Sequence, residues 1–327
     1  MCTAITYKTK DHYFGRNLDL EYSYKETVTI TPRNYVFRFR KMGKMESHFA
    51  MIGMAYVADG YPLYYDATNE KGLSAAGLNF PENADYKPYC EGKDNVSAFE
   101  LIPWILCQCS TVAEAEKLLA RINLLNENFS DELHLSPLHW IISDRERSIT
   151  LEPLRSELKI YENPVGVLTN NPTFDYHLFN LNNYMSLTKS DPPNTFLGEK
   201  AKISLKTYSR GMGALGLPGD SSSMSRFVRA TFIKMNSLSQ DTEAESVSQF
   251  FHILKSVEMQ RGCVLLKSGL YEITVYSSCC NTDRGIYYYT TYDNCWIYAV
   301  DMHKENLNSS EIIAYPLKKD PEIVYQN

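Results

Sequence analysis

Met1-Cys2-Thr3-Ala4-Ile5-Thr6-Tyr7 opens the chain, and His12-Tyr13-Phe14-Gly15-Arg16-Asn17-Leu18-Asp19 follows after Lys10-Asp11. Both pieces are rich in β-branched and aromatic residues, and Lys10-Asp11 suits a turn, so the second piece reads as a strand pairing back on the first. That pairing carries Arg16 and Asp19 toward Cys2. Three positions apart on a regular strand, they face opposite sides, so a local bend is expected if both are to reach Cys2. The side chain of Cys2 is small, which suits removal of Met1. Cys2 would then own a thiol and a free α-amine. Reference values are about 8.5 for such a thiol and about 7.7–8.0 for such an amine, so the amine serves as a base near neutral pH. A nucleophile paired with an N-terminal amine is an established catalytic arrangement. A nearby arginine favours a thiolate, and a carboxylate beside the amine would orient it. Taken alone, these residues read equally as an incidental cysteine and a surface ion pair.

Outward from this hairpin, strands are expected over residues 27–31, 36–40 and 51–57. Residues 63–68 and 73–78 flank Asn69-Glu70-Lys71-Gly72, a hairpin signal with glycine at the tight position. Ser97-Ala98-Phe99-Glu100 and Thr111-Val112-Ala113-Glu114 are capping-box patterns. The second precedes a helix expected over 115–125, with Leu118, Leu119, Ile122 and Leu125 on one face. Strands return at 138–143, 149–153 and 158–161, and residues 175–209 read as short helix and loop. Helices follow over 224–238 and 244–257, then strands over 271–277, 285–292 and 296–301. Strand runs that alternate with helix runs, without regular βαβ units, indicate antiparallel sheets with helices packed outside them. No repeat and no domain boundary is visible, so residues 1–327 are expected to form one domain.

The chain has 327 residues, 44% hydrophobic and 22% charged, enough to build a core without disulfides or metal. Its net charge of −6 is spread without long blocks, which disfavours nucleic acid as a partner. Its 24 tyrosines suit strands and amphipathic ligands. Cys2, Cys90, Cys107, Cys109, Cys263, Cys279, Cys280 and Cys295 lack the paired CxxC spacing that zinc prefers, and no HExxH occurs. No metal site and no cofactor is therefore expected. The start lacks a secretory pattern, and no apolar run approaches the length of a membrane span. A cytosolic protein with reduced thiols is the expectation.

Five pieces occur in order: Met1-Cys2-Thr3; Phe14-Gly15-Arg16-Asn17-Leu18-Asp19; Ala76-Gly77-Leu78-Asn79-Phe80; Leu168-Thr169-Asn170-Asn171-Pro172; and Gly216-Leu217-Pro218-Gly219-Asp220 through Ser225-Arg226-Phe227. Each is weak alone, but five in register are specific. Together they closely resemble the choloylglycine hydrolase family, which comprises bile salt hydrolases and penicillin V acylases. The match runs from Cys2 to near the C-terminus. The resemblance implies an α+β fold, a four-layer αββα sandwich of the N-terminal nucleophile hydrolase type. It implies Cys2 as nucleophile, its α-amine as base and later acid, Asp19 holding the amine and Arg16 supporting the thiolate. Asn79 and Asn170 would surround the oxyanion and the amine, and Arg226 would organise the charges. Asn170 is chosen over Asn171 by the family's Thr-Asn register.

Asparagine at position 79 looks like the bile salt hydrolase branch, where penicillin V acylases tend to carry tyrosine. Conjugated bile salts, cleaved to a bile acid plus taurine or glycine, are the small-molecule substrate so implied. Leu18, Leu20, Tyr24, Tyr56, Ala58, Leu133 and Leu135 lie in segments resembling the walls of the steroid pocket. Ser209-Arg210-Gly211 occupies a loop linked with amino-acid preference, and Arg210 suggests a taurine leaning, since a guanidinium holds a sulfonate through charge-assisted bonds. The family also suggests a homotetramer. The nearest rivals are penicillin V or another N-acyl amide on the same machinery, and acyl transfer to amines other than water. A rival of another class is a non-catalytic lipid-binding protein that never exposes Cys2.

Overall fold

Strand Cys2–Lys8 pairs antiparallel with strand His12–Leu20, from Cys2 opposite Leu18 to Lys8 opposite His12. The pairing is unbroken, so the bend expected between Arg16 and Asp19 is absent from this strand. The irregularity lies in its other neighbour, Ile273–Asn281, where the register shifts between Thr274 and Tyr276 opposite Asp19 and Leu18. Further along the same pairing Gly15 is required: a Cβ there would stand 2.0 Å from the Ser278 carbonyl oxygen.

The computed structural model describes residues 1–197 and 203–327. These two strands sit inside a six-stranded sheet, ordered Val167–Leu168, Cys2–Lys8, His12–Leu20, Ile273–Asn281, Ile286–Thr291 and Tyr298–Asp301. A second sheet of eight strands runs Leu158–Glu162, Ser148–Pro153, Leu138–Ser143, Ser74–Asn79, Tyr61–Asn69, Met51–Ala58, Thr27–Thr31 and Ile313–Pro316. All pairings in both are antiparallel. Helices Ser223–Asn236 and Glu243–Lys255 pack on the outer face of the six-stranded sheet, burying Phe227, Ala230, Val247, Phe250 and Leu254. Helices Leu101–Leu106 and Val112–Leu119 cover the outer face of the other sheet through Leu101, Ile105, Val112 and Ala115. The order helix, sheet, sheet, helix is the expected αββα arrangement. Both faces of the His12–Leu20 strand are consequently buried. At roughly 25 cal/mol per Å² of apolar surface, such two-sided burial is the main stabilising term.

Most elements fall where the residue patterns place them, the caps included: Ser97 and Glu100 form the reciprocal capping box, and the Thr111 hydroxyl accepts the Glu114 N–H at 3.2 Å. The helix expected over 115–125 is the exception. It spans Val112–Leu119, and Ile122–Leu125 is a strand parallel to Asp94–Ser97. Asn123 fixes that strand by donating to the Pro88 carbonyl at 2.9 Å and to Asn95 Oδ1 at 2.8 Å. Ile122, Leu124 and Leu125 are buried either way, so an apolar spacing shared by helix and strand could not separate the two. Within the region 175–209, a short helix Phe174–Asn180 forms; residues 198–202 of that segment lie outside the described residues. No described helix is long and apolar enough to cross a membrane.

Candidate active site

Strand alternation explains how Arg16 and Asp19 both serve Cys2 without a bend. Thr3 and Asn17 face the helix layer, where Thr3 accepts from Arg226 and Asn17 donates to the Leu254 carbonyl. Cys2, Ala4, Arg16 and Leu18 therefore face the space between the sheets. Arg16 shows this directly: its Nη1 donates to the carbonyls of Gly77 at 2.5 Å and Tyr65 at 3.1 Å, both on the opposite sheet. Asp19 emerges on the helix face. Cys2 thus has a cation on its own face of the hairpin and an anion on the opposite face.

Cys2 is 3% exposed. Its N–H donates to Asn170 Oδ1 at 2.9 Å, and its carbonyl accepts from Arg226 Nη1 at 2.5 Å. Arg226, on the Ser223–Asn236 helix, also donates to Thr3 Oγ1 at 2.6 Å and through Nη2 to Asn170 Oδ1 at 2.7 Å. Asn170 Nδ2 donates in turn to the Asn79 carbonyl at 2.6 Å. Four of the six expected catalytic residues thereby join one hydrogen-bonded network. The Asn79 side chain is exposed at the end of its strand and makes no hydrogen bond among the described residues, which leaves its amide donors free.

Met1 is in place. Its α-ammonium donates to the Asp19 carbonyl at 2.8 Å and pairs with the Glu272 carboxylate, while the Asp19 N–H donates to the Met1 carbonyl at 3.0 Å. Burial lowers the pKa of this amine, opposed by Cys2 and Asp19. Asp19 is fully buried; Oδ1 accepts from Thr274 Oγ1 at 2.6 Å and Oδ2 has no partner among the described residues. Burial pushes its carboxyl above the ordinary range, against the pull of the terminal ammonium and Arg226. An unpartnered buried carboxylate oxygen beside the chain terminus is a seat for an ammonium group. Arg16 Nη2 is likewise buried without a partner among the described residues.

Sequence reasoning missed the groups that support this set. Thr274 holds Asp19, and Ser223 Oγ accepts the Asn170 N–H at 2.8 Å. His177 Nε2 meets the Asn170 carbonyl at 2.8 Å, and burial lowers its pKa to about 4, so it is a neutral donor. Glu272 and Thr274 carried one usable signal, polar residues inside a strand pattern that is otherwise apolar. Ser223 lies within the Gly216–Phe227 motif piece but was not singled out, and nothing in the sequence marks His177.

The expected pocket residues divide. Leu18 is buried in the core and Leu20 packs partly against it. Tyr24 is exposed and Tyr56 half-buried, while Ala58 is buried at its strand's end. Leu133 and Leu135 are half-buried in the loop before the Leu138–Ser143 strand, and Leu135 packs on the core under Leu101–Leu106. Arg210 is exposed and makes no hydrogen bond or ion pair among the described residues. Among those residues no group of three His, Cys, Asp or Glu is gathered to hold a metal ion, and all eight cysteines are free.

The family model for linear amide C–N hydrolases, choloylglycine hydrolase family, matches residues 2–315. The chain is 58% identical to a bile salt hydrolase/transferase of Lactiplantibacillus plantarum over 98% of both chains. It is 40% identical to a bile salt hydrolase/transferase of Clostridium perfringens over the whole of both. A crystal structure of a variant conjugated bile acid hydrolase from Clostridium perfringens superposes with a TM-score of 0.92 at 38% identity, covering all of both chains. Penicillin V acylase of Agrobacterium tumefaciens shares the fold, with a TM-score of 0.76 at 20% identity over 99% of this chain and 94% of that one.

Proposed function

The chain belongs to the choloylglycine hydrolase family of linear amide C–N hydrolases, and from that premise we propose that it cleaves the amide joining a bile acid to taurine or glycine, with Cys2 as nucleophile once Met1 is removed. Relatives bearing that activity in their names, at 58% and 40% identity, support the substrate class. The observation that carries the mechanism is the placement of Cys2. Its N–H is held by Asn170, Arg16 shares its face of the hairpin, and the Asp19 side chain leaves on the opposite face.

In this reading the thiolate attacks the scissile carbonyl and the Cys2 α-amine relays the proton to the leaving amine. Asp19 holds the amine. Donors from Asn79 and the adjoining backbone stabilise the tetrahedral oxyanion, where loss of one donor typically costs about 10²–10³ in rate. Arg226 fixes Asn170 and the Cys2 carbonyl. Water then opens the thioester. The "transferase" in the relatives' names supports a second reading, in which an amine takes the place of water.

The whole chain acts as one hydrolase domain in this proposal, supported by the C-terminal strand Ile313–Pro316 pairing with Thr27–Thr31. A cytoplasmic setting and the absence of metal remain expectations from the residue patterns, and a homotetramer is the expectation from the family resemblance. Leu18, Leu20, Tyr24, Tyr56, Ala58, Leu133 and Leu135 are proposed as steroid contacts and Arg210 as a contact to the amino-acid moiety.

Intact mass of the purified protein, with product analysis on taurocholate, glycocholate and penicillin V, tests the proposal. Mass lower by one methionine, with cholate released, is expected, and Cys2→Ser should nearly abolish release. Cleavage of penicillin V alone would overturn the substrate. Near-normal turnover by Cys2→Ser would remove Cys2 from the mechanism.

A further inference from the structure

Asp66 is a charged residue in the middle of the Tyr61–Asn69 strand, and it is 1% exposed. Its side chain crosses the space between the sheets. Oδ1 accepts from the Tyr276 hydroxyl at 2.8 Å, and Oδ2 accepts from the Tyr287 hydroxyl at 2.7 Å and from Ser278 Oγ at 3.4 Å. All three donors belong to the six-stranded sheet. Both oxygens receive O–H donors, the arrangement of an ionised carboxylate. Burying a carboxylate among apolar strands is costly unless a cation balances it.

The cation on this face is Arg16. Its guanidinium grips the carbonyl of the Tyr65–Asp66 peptide bond, and also Gly77, which follows Ala76, the residue paired with Asp66. The Arg16 backbone N–H donates to Ser278 Oγ at 3.1 Å, the hydroxyl that also reaches Asp66. The two carbonyls fix where the guanidinium sits, but they are dipoles and leave its charge uncompensated. Asp19 faces the other side of the strand and serves the chain terminus.

We infer that Asp66, clamped by Tyr276 and Tyr287, is a positioning residue for the amidase reaction: it balances the buried charge of Arg16 and so sets how strongly Arg16 draws the Cys2 thiol toward thiolate. This rests on Cys2 being the nucleophile, as proposed above. The other titratable or charged groups facing the assembly are the chain-terminal amine, Asp19, Arg226, Tyr65 and Cys280, with Tyr276 and Tyr287 themselves. None replaces Asp66 on the side of the sheet where Arg16 lies. Without it, the guanidinium acts unopposed. The thiolate then forms at lower pH and is a weaker nucleophile, since nucleophilicity falls with basicity.

The test is the pH profile of Cys2 alkylation by iodoacetamide on Met1-free protein, read on the Cys2 peptide by mass so that exposed Cys90, Cys263 and Cys295 do not contribute. In Asp66→Asn the half-maximal pH is expected to fall by about one unit, a roughly tenfold change in the thiol–thiolate equilibrium as Arg16 loses its balancing charge. In an Arg16→Gln background, adding Asp66→Asn should move it by less than a third of that. Tyr287→Phe removes one of the hydrogen bonds that keep the Asp66 carboxyl ionised against burial, leaving it partly protonated; it should shift the profile the same way by a smaller amount, and it serves if Asp66→Asn does not fold. An unchanged or raised midpoint in folded Asp66→Asn, or, failing its folding, in Tyr287→Phe, overturns the inference, as does an equal shift without Arg16. Alkylation needs no substrate, so a wild-type enzyme that spares taurocholate but shows the shift would sink the substrate reading alone. Full turnover by Cys2→Ser would sink both.

Discussion

Thr274→Val replaces a hydroxyl by a methyl of nearly equal size at a buried site, so its effect is electrostatic rather than steric. The hydroxyl does two things: it donates to Asp19 Oδ1 at 2.6 Å and accepts the Met259 N–H at 2.8 Å. Asp19 Oδ2 has no partner, so the substitution strips this buried carboxylate of its side-chain donor. A hydrogen bond to a charged group is worth about 1.5–3 kcal/mol, and the orphaned Met259 N–H adds about 1–3 kcal/mol of lost stability. Burial already pushes the Asp19 carboxyl upward, and loss of the donor pushes it further, weakening its hold on the Cys2 amine. At about 1.4 kcal/mol per decade, kcat/KM for taurocholate should fall roughly 10- to 150-fold, with lower thermal stability. Thr274→Ser keeps the oxygen and should restore most of the rate. Steady-state cholate release and a thermal melt on all three proteins check this. Activity of Thr274→Val within threefold of wild type, or equal loss in Thr274→Ser, would refute the reasoning.

The hold on Met1 bears on processing: with its amine on the Asp19 carbonyl and Glu272, the folded chain should resist methionine aminopeptidase, and unfolding or Glu272→Gln should speed release; removal from the folded chain as fast as from a free peptide counts against it. Arg210→Ala should raise KM for taurocholate more than for glycocholate, and equal effects would dismiss the loop from amino-acid choice. His177 and His12 both sit at about 4, below the usual histidine range, because burial disfavours their charged forms. Groups with depressed values contribute stability that is present above about 6.5 and lost as pH falls toward 4, so each should cost about 2 kcal/mol between pH 7 and 5. Urea midpoints at both pH values, for wild type and His177→Gln, check the slope; an unchanged slope in the variant contradicts the assignment.

Five short motifs gave the family, and with it Cys2, Arg16, Asp19, Asn79, Asn170 and Arg226 as candidates. Strand periodicity and capping patterns placed most elements within a few residues, because the propensity of Thr27–Thr31 or the cap at Thr111 is a local property. Ile122–Leu125 failed that reasoning because its strand character comes from pairing with Asp94–Ser97, which local sequence does not encode. The short strand Val167–Leu168 was missed for the same reason, although it completes the sheet beside Cys2–Lys8 and leads into Asn170.

The same division runs through the site. That Arg16 and Asp19 lie near Cys2 follows from one hairpin and was legible from residues alone. Their separation onto two faces follows from strand alternation and was legible as well; that the Arg16 face meets the second sheet and the Asp19 face the helix layer was decided by sheet stacking, which gives each face of one strand a different environment. Thr274, Ser223, His177 and Asp66 come from segments far apart in the chain, and of these only Ser223 lies within a motif piece, where nothing singled it out. They matter because burial in a low-dielectric interior obliges every charge and polar group to find a partner, and only the packed tertiary structure specifies which one it finds.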